Sequence, residues 1–479
     1  MKHAPYRTLL PALIFLAACS AVATDAPRPV DLQATVAEPT APASGASILL
    51  SAPGPTHRTY RFWTVDAANG EAAAADSAFD YEVPGREMSA FALSPDRQRL
   101  AVATGSLTYC EPSGIGSACW VSSETLSIVD LTTGQADQIE LPKPNRVSQM
   151  AFDSSGQRLA MVVHVKGSAH LVTVDIRLAR VDARVALPID PSFLAYAVDG
   201  ADLVVFGSQP GSEPGLSPPG LAEVLILNEA DLSLLWSQTI DGLQMGSWCL
   251  DGCGSTQEPY RSAVWYPAFA LQPGSNRLLV LHAEANRLTA VDIGRRLVES
   301  MEIGPAKTWL DRLMAWGALS AEAKGWAEGA MKQAVLSPDG SRLYGLGQIL
   351  HARTNEDGSI DGWEEPIGLD VVDPVDGVRL AHLDTDASGL GISQDGRWLL
   401  LARWESYGQV SEVLDAQSLA SEATFEDWQI LPVRSLEGQS LLLAYSQGES
   451  NTRFALINPS TMQRSAAWTV DGFAMVISP

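Results

Sequence analysis

One short phrase recurs along this 479-residue chain and sets what it can fold into. It reads FALSPDRQRLAVA at Phe91–Ala103, MAFDSSGQRLAMV at Met150–Val162 and LAYAVDGADLVVF at Leu194–Phe206. It returns as AFALQPGSNRLLV at Ala268–Val280, AVLSPDGSRLYGL at Ala334–Leu346, LGISQDGRWLLLA at Leu390–Ala402 and ILPVRSLEGQSLLL at Ile430–Leu443. Each copy is an apolar strand, a polar turn rich in Asp, Gly and Ser, and a second apolar strand, which is a hairpin signal. Repetition at this period makes an array whose units bury their faces against one another.

A second phrase follows each hairpin. Examples are LSIVDLTTGQ at Leu126–Gln135, LVTVDIRLAR at Leu171–Arg180 and LDVVDPVDG at Leu369–Gly377. It is a strand ending in Asp or Asn, a turn, and another strand. The two phrases together make a four-stranded meander, the unit of a β-propeller blade. The expected fold is all-β, a single closed propeller spanning 46–479 with a small helical insertion. Second phrases number eight, counting one near Thr64–Glu71, so the expected blade count is eight, or seven if the front segment is irregular. The last residues, FAMVISP at Phe473–Pro479, repeat the opening FALSP at Phe91–Pro95. The C-terminus is thus expected to supply the innermost strand of a blade begun by the N-terminus, removing free sheet edges. The SPDG hairpins and VVD strands resemble the YVTN and WD40-like propeller repeats of bacteria. That resemblance implies the fold and little about function, because such folds host many functions.

The chain opens with Lys2 and Arg7, a short apolar run Leu9–Ala18, and Leu16-Ala17-Ala18-Cys19. The run is too short to span a bilayer and reads as a signal peptide over 1–18. The Leu-Ala-Ala-Cys ending resembles the lipobox of bacterial lipoproteins. The resemblance implies cleavage before Cys19, acylation of Cys19 and a lipid bilayer as one partner. Ser20 stands where an inner-membrane retention signal would usually place Asp. Residues 19–45, rich in Ala, Pro and Thr, read as the lipidated cysteine and a flexible tether. In an exported chain the remaining cysteines read as two local disulfides, Cys110 with Cys119 and Cys249 with Cys253.

The insertions share one side. With blade strands A to D numbered from the centre, A–B and C–D turns lie on one face, and B–C loops and D–A connections on the other. The long excursions Gly105–Cys119, Gly207–Leu221, Asp241–Val264, Gly304–Lys332 and Ala352–Pro366 all fall on the second face. Rigid scaffolds carry their binding sites on such loops, so this face is the candidate binding face, with Trp248, Trp309, Trp316, Trp326 and Trp363 as its aromatic contacts. The stretch around 306–332 reads as helical: Thr308 and Asp311 fit a helix start, Trp309, Leu313 and Trp316 an apolar stripe, and Ala321–Met331 a second helix. RTNEDGSIDGWEE reads as an acidic hairpin turn; calcium is the alternative, since Asn355, Asp357, Asp361 and Glu364 fall at calcium-loop spacing although Arg353 holds the first ligand position.

The formal charge is −24, and an acidic surface repels phosphate backbones, which argues against nucleic acid as a partner. The sequence contains no GxSxG, HExxH, Walker loop or dinucleotide fingerprint, and no catalytic residue stands out. His57, His164, His170, His282, His351 and His382 are scattered along the repeats. Two functions follow as expectations. One is an anchored extracytoplasmic module, without a cofactor, that binds an envelope protein or glycan through its loop-rich face. The other is a lactonase-like hydrolase with calcium or another metal in the axial channel.

Overall fold

The computed structural model describes residues 46–477 apart from 55–57, 71–79, 86, 106, 114–115, 142–144, 166–167, 199, 201, 210–219, 252–260, 284, 305–326, 355–359 and 406–407. Cys19 and the tether lie outside the described residues.

The two phrases build the meander they encode. In the sheet holding the first hairpin, Glu87–Leu93, Arg99–Gly105, Thr125–Asp130 and Ala136–Glu140 follow in that order, each antiparallel to the next. The hairpin turn is wired alike in three copies. The Ser94 hydroxyl donates to Asp96 Oδ1 (2.5 Å) and accepts from Arg99 N (2.9 Å). Ser337 does the same with Asp339 (2.6 Å) and Arg342 N (2.9 Å), and Ser393 with Asp395 (2.5 Å) and Trp398 N (2.8 Å). The serine and aspartate of the phrase therefore close the turn themselves. Gly340 and Gly396 take left-handed backbone after the aspartate, at φ 70° and 71°; Arg97 takes it at φ 58°, where a side chain is strained.

Second strands read as unbroken apolar runs because both their faces are covered. Leu100, Ala101, Val102 and Ala103 are all at 0% exposure, and Leu203 to Phe206 likewise. Each such strand is sandwiched between the sheets on either side, so nothing alternates toward solvent.

The core is a circle of hydrophobic clusters, each joining one meander to the next. Phe62 and Leu49 pack with Leu100 and Val102, Ala101 and Ala103 with Leu159 and Met161, and Ala160 and Val162 with Leu203 and Val205. Val204 and Phe206 pack with Leu278 and Val280, Leu279 and Leu281 with Leu343, and Tyr344 and Leu346 with Leu399 and Leu401. Trp398 and Leu400 pack with Ile430 and Leu442, and Leu441 and Leu443 return to Ile48 and Leu50. The ring closes through the chain ends, as the repeated FALSP and FAMVISP suggested: Met475–Ile477 pairs antiparallel with Ser47–Pro53, Leu49 opposite Ile477. At this seam one hairpin turn is replaced by the two chain ends. Ser47 N donates to Glu437 Oε2 (2.7 Å), and the Arg97 guanidinium donates to the Ser435 carbonyl, so the turns on either side are tied across the gap.

Two expectations are corrected. The hydrogen bonds give six separate four-stranded sheets rather than eight. The remaining meanders are the two ends of one nine-stranded sheet, because Leu234–Asp251 runs past its meander and pairs with Arg261–Tyr266, which lies parallel to Ala327–Leu336. The helical insertion is also not found: no helix is present among the described residues, 305–326 lies outside them, and Ala327–Lys332 is strand. The stretch is rich in helix formers, but it pairs with Leu343–Thr354 on one side and Arg261–Tyr266 on the other. Tertiary pairing overrides that weak local preference. Gly329, which weakens a helix, permits this approach: a Cβ there would lie 2.0 Å from the Val264 carbonyl oxygen.

Candidate binding face

The described strand ends that flank the five long excursions all lie on one side of the ring. Leu107–Ser113 and Gly116–Ser122 form a two-stranded arm between the second and third strands of their sheet. Residues 210–219 connect the second and third strands of another meander, and 252–260 and 305–326 lie in connections between meanders. Leu343–Thr354 and Ile360–Val372 run beyond their sheet as a long ribbon. Ala46, where the described chain begins, lies on the opposite side, with its neighbour Ser47 bonded to the Ser435–Gly438 turn.

The ribbon carries the most developed side-chain group on this face. Register sets it: His351 lies directly opposite Trp363, and Ile349 opposite Glu365, so His351, Trp363 and Glu365 share one side of the ribbon. The imidazole and indole stack at 5.0 Å with 10° between the planes. His351 Nε2 meets Glu365 Oε2 at 2.8 Å, and Nδ1 is buried without a hydrogen-bond partner. The imidazole is thereby held from two sides, and the indole stays 44% exposed. Glu364 points to the ribbon's other side, where burial pushes its carboxyl up to about 7. Near neutral pH this carboxyl is partly protonated, whereas an ordinary carboxylate is ionised.

Trp404 is a further aromatic on this face, and sequence reasoning passed over it. It is 40% exposed and lies opposite Gln409 at the end of Trp398–Glu405, the second strand of the sheet next to the ribbon. The available signal was its place in LLLARWES, beyond the buried part of a second strand.

The other expected site residues fall as follows. Trp309, Trp316, Trp326, Asn355 and Asp357 lie outside the described residues. Trp248 is in the extended strand, opposite Ala263, and Asp361 is opposite Arg353. Cys110 and Cys119 are directly opposite one another in the arm, whereas Cys249 lies opposite Ser262 and Cys253 is outside the described residues. His57 lies outside the described residues, and the described histidines gather in no single cluster. His282 bonds Thr289 Oγ1 (2.8 Å), His170 faces the Ser168 carbonyl (3.1 Å), and His382 meets Asp370 Oδ1 (2.8 Å), which the Arg379 guanidinium also holds (2.9 Å). His164 lies between Ser148 and Asp190. Among the described residues no group of three or more His, Cys, Asp or Glu is arranged to hold a metal ion.

No family model matches the chain, and no curated protein matches it. Among solved structures, "Dihydro-heme d1 dehydrogenase NirN in complex with DHE" is similar over 94% of this chain and 78% of its own length, with TM-score 0.54 and 11% identity. "Crystal structure of the eukaryotic initiation factor" is similar over 91% of both chains, with TM-score 0.47 and 12% identity. A "Myceliophteria_thermophila Cps50 (Swd1) beta-propeller domain" covers 76% of this chain and 94% of its own, with TM-score 0.41 and 10% identity. The likeness is one of fold; the all-β propeller of four-stranded blades is read from this chain's own sheets. At these identities it carries no ligand or activity to this chain.

Proposed function

We propose that this chain is a lipid-anchored, extracytoplasmic propeller of four-stranded blades that binds an envelope protein or glycan through its loop-rich face. The observation that carries this reading is the exposed Trp363, fixed by His351 and flanked by Glu365 on a ribbon that rises from that face. An indole held by stacking offers a large apolar contact at little conformational cost, and the carboxylate beside it offers hydrogen-bond acceptors to a sugar or a cationic side chain. The position of Ser47 against the Ser435–Gly438 turn supports the orientation. A tether leaving from the tight-turn side, acylated at Cys19, holds the loop-rich face away from the membrane. The cross-strand position of Cys110 and Cys119 supports a disulfide that stiffens the arm beside it.

The test is retention of envelope fractions by immobilised protein, compared with Trp363→Ala and with Leu178→Ala, an exposed apolar residue on the tight-turn side. The reading expects one retained protein or glycan that Trp363→Ala releases and Leu178→Ala keeps. Equal retention by all three forms sinks it.

A further inference from the structure

We infer that Ser148, His164 and Asp190 form a serine esterase site on the loop-rich face, at the seam between two adjacent sheets. The Ser148 hydroxyl lies 3.1 Å from His164 Nε2, and on the other side of the same ring Asp190 Oδ1 lies 3.9 Å from Nδ1. That is the polarity a nucleophile, base and orienting carboxylate require: hydroxyl on one ring nitrogen, carboxylate toward the other. In a site without substrate such contacts are often long and tighten on binding. Ser148 and His164 are half-buried and Asp190 is exposed, so the group is open to solvent.

The backbone shows that the histidine is an addition to the repeat. Ser148 is the extra residue of a β-bulge, between Val147 and Gln149 in the innermost strand Arg146–Phe152. Bulges re-aim side chains and occur next to active sites. The two flanking innermost strands have the same bulge with serine in it, Ser89 and Ser192. Ser89 is spent on structure, bonding the Ala103 carbonyl (3.1 Å) and Ser123 Oγ (2.8 Å). Opposite the first residue of these three strands stand Gly105, His164 and Ser208. One of the three bulge serines therefore faces an imidazole, and the carboxylate beyond it, Asp190, comes from the next meander. Burial, with help from the nearby Arg146 and His170 and against the pull of Asp190, holds the His164 pKa below its ordinary value. The ring is then neutral at neutral pH, the form that accepts a proton.

The chemistry closes without a further reactant except water. Ser148 Oγ attacks the carbonyl carbon of an ester, and its proton passes to His164 Nε2. The carbon–alkoxy bond breaks, and the leaving alkoxide takes that proton and departs as the alcohol. Water, deprotonated by the same nitrogen, attacks the acyl-serine, restores the hydroxyl and releases the carboxylic acid. Ser148 and His164 are the catalytic residues and Asp190 is a positioning residue. The substrate class is a small acyl ester. This assignment does not depend on the binding role of the ribbon.

The experiment is reaction of the full chain with a fluorophosphonate, with the adduct located by mass spectrometry, alongside p-nitrophenyl acetate turnover. The expected result is an adduct on Ser148 and none on Ser192, the bulge serine opposite which no histidine stands. Ser148→Ala abolishes the adduct, and His164→Gln slows labelling at least about 100-fold. Asp190→Asn moves the pH midpoint of labelling down, because Asp190 holds the imidazole's pKa up; a carboxylate that only held the fold would leave that midpoint in place. Circular dichroism confirms that each variant is folded. Folded protein that is unlabelled at Ser148, labelled equally at Ser192, or unaffected by His164→Gln overturns the assignment.

Discussion

Ile477→Ala tests how the ring is closed. Ile477 is the last residue of the closing strand Met475–Ile477 and 3% exposed, packed in the cluster with Leu49, Tyr60, Phe62, Leu100 and Val102. An isoleucine truncated to alanine in a filled core costs about 3 kcal/mol, from lost transfer energy and the cavity left behind. The 434 residues from Ala46 onward, melting together, give an unfolding entropy of about 0.9 kcal/mol per kelvin. The midpoint should therefore fall by about 3 °C in differential scanning calorimetry at a fixed scan rate. Leu297→Ala, at an exposed position (46%), serves as the control and should shift stability by no more than about 0.5 kcal/mol. If Ile477→Ala melts with the control, the terminal strand does not close the ring and the whole description of the seam is wrong.

Three further outcomes are expected. Arg97→Ala removes the buried guanidinium that reaches the Ser435 carbonyl across the seam, at a cost of about 2 kcal/mol in urea titration; no change would mean the turns are not tied there. Glu364 has a carboxyl raised from 4.5 to about 7 by burial, so the folded state binds its proton more tightly than the unfolded state does, and stability is lost as pH rises through that window. The stability of Glu364→Gln relative to the parent should climb between those pH values and level off above them, and a flat difference would refute the burial. If Cys110 and Cys119 are joined, the ten-residue loop contributes about 3 kcal/mol by loop closure; the Cys110→Ser, Cys119→Ser double variant should lose that amount, and maleimide labelling of both thiols in unreduced, unfolded parent would refute it.

Much of the ring was legible because its letters do local work. The Ser and Asp of SPD and SQD close their own turns, and runs such as RLAVA and WLLLA are buried on both faces, so turn chemistry and hydropathy point to one answer. The first arm was not legible: YCEPSG carries the Pro and Gly of a loop, yet Leu107–Ser113 and Gly116–Ser122 pair as an extended hairpin. RTNEDGSIDGWEE was legible as an acidic hairpin turn, but the length of its flanking ribbon was not. Ala327–Lys332 has helix-forming residues and is strand because neighbouring backbone is there to pair with it. Trp363 was legible as an aromatic of the loop-rich face, but its exposure and its stack on His351 depend on register across a ribbon twelve residues deep in sequence. Ser148, His164 and Asp190 escaped for the same reason. A bulge aims one, the far end of a partner strand holds the second, and the next meander supplies the third.

The most direct measurement for the binding role is photo-crosslinking in living cells from position 365 on the ribbon, with position 178 on the tight-turn side as control and Trp363→Ala in the same background. The account expects one product, identified by mass spectrometry or carbohydrate analysis, that forms from 365, does not form from 178 and disappears with Trp363→Ala. Products that form equally from both positions, or that survive Trp363→Ala, contradict it.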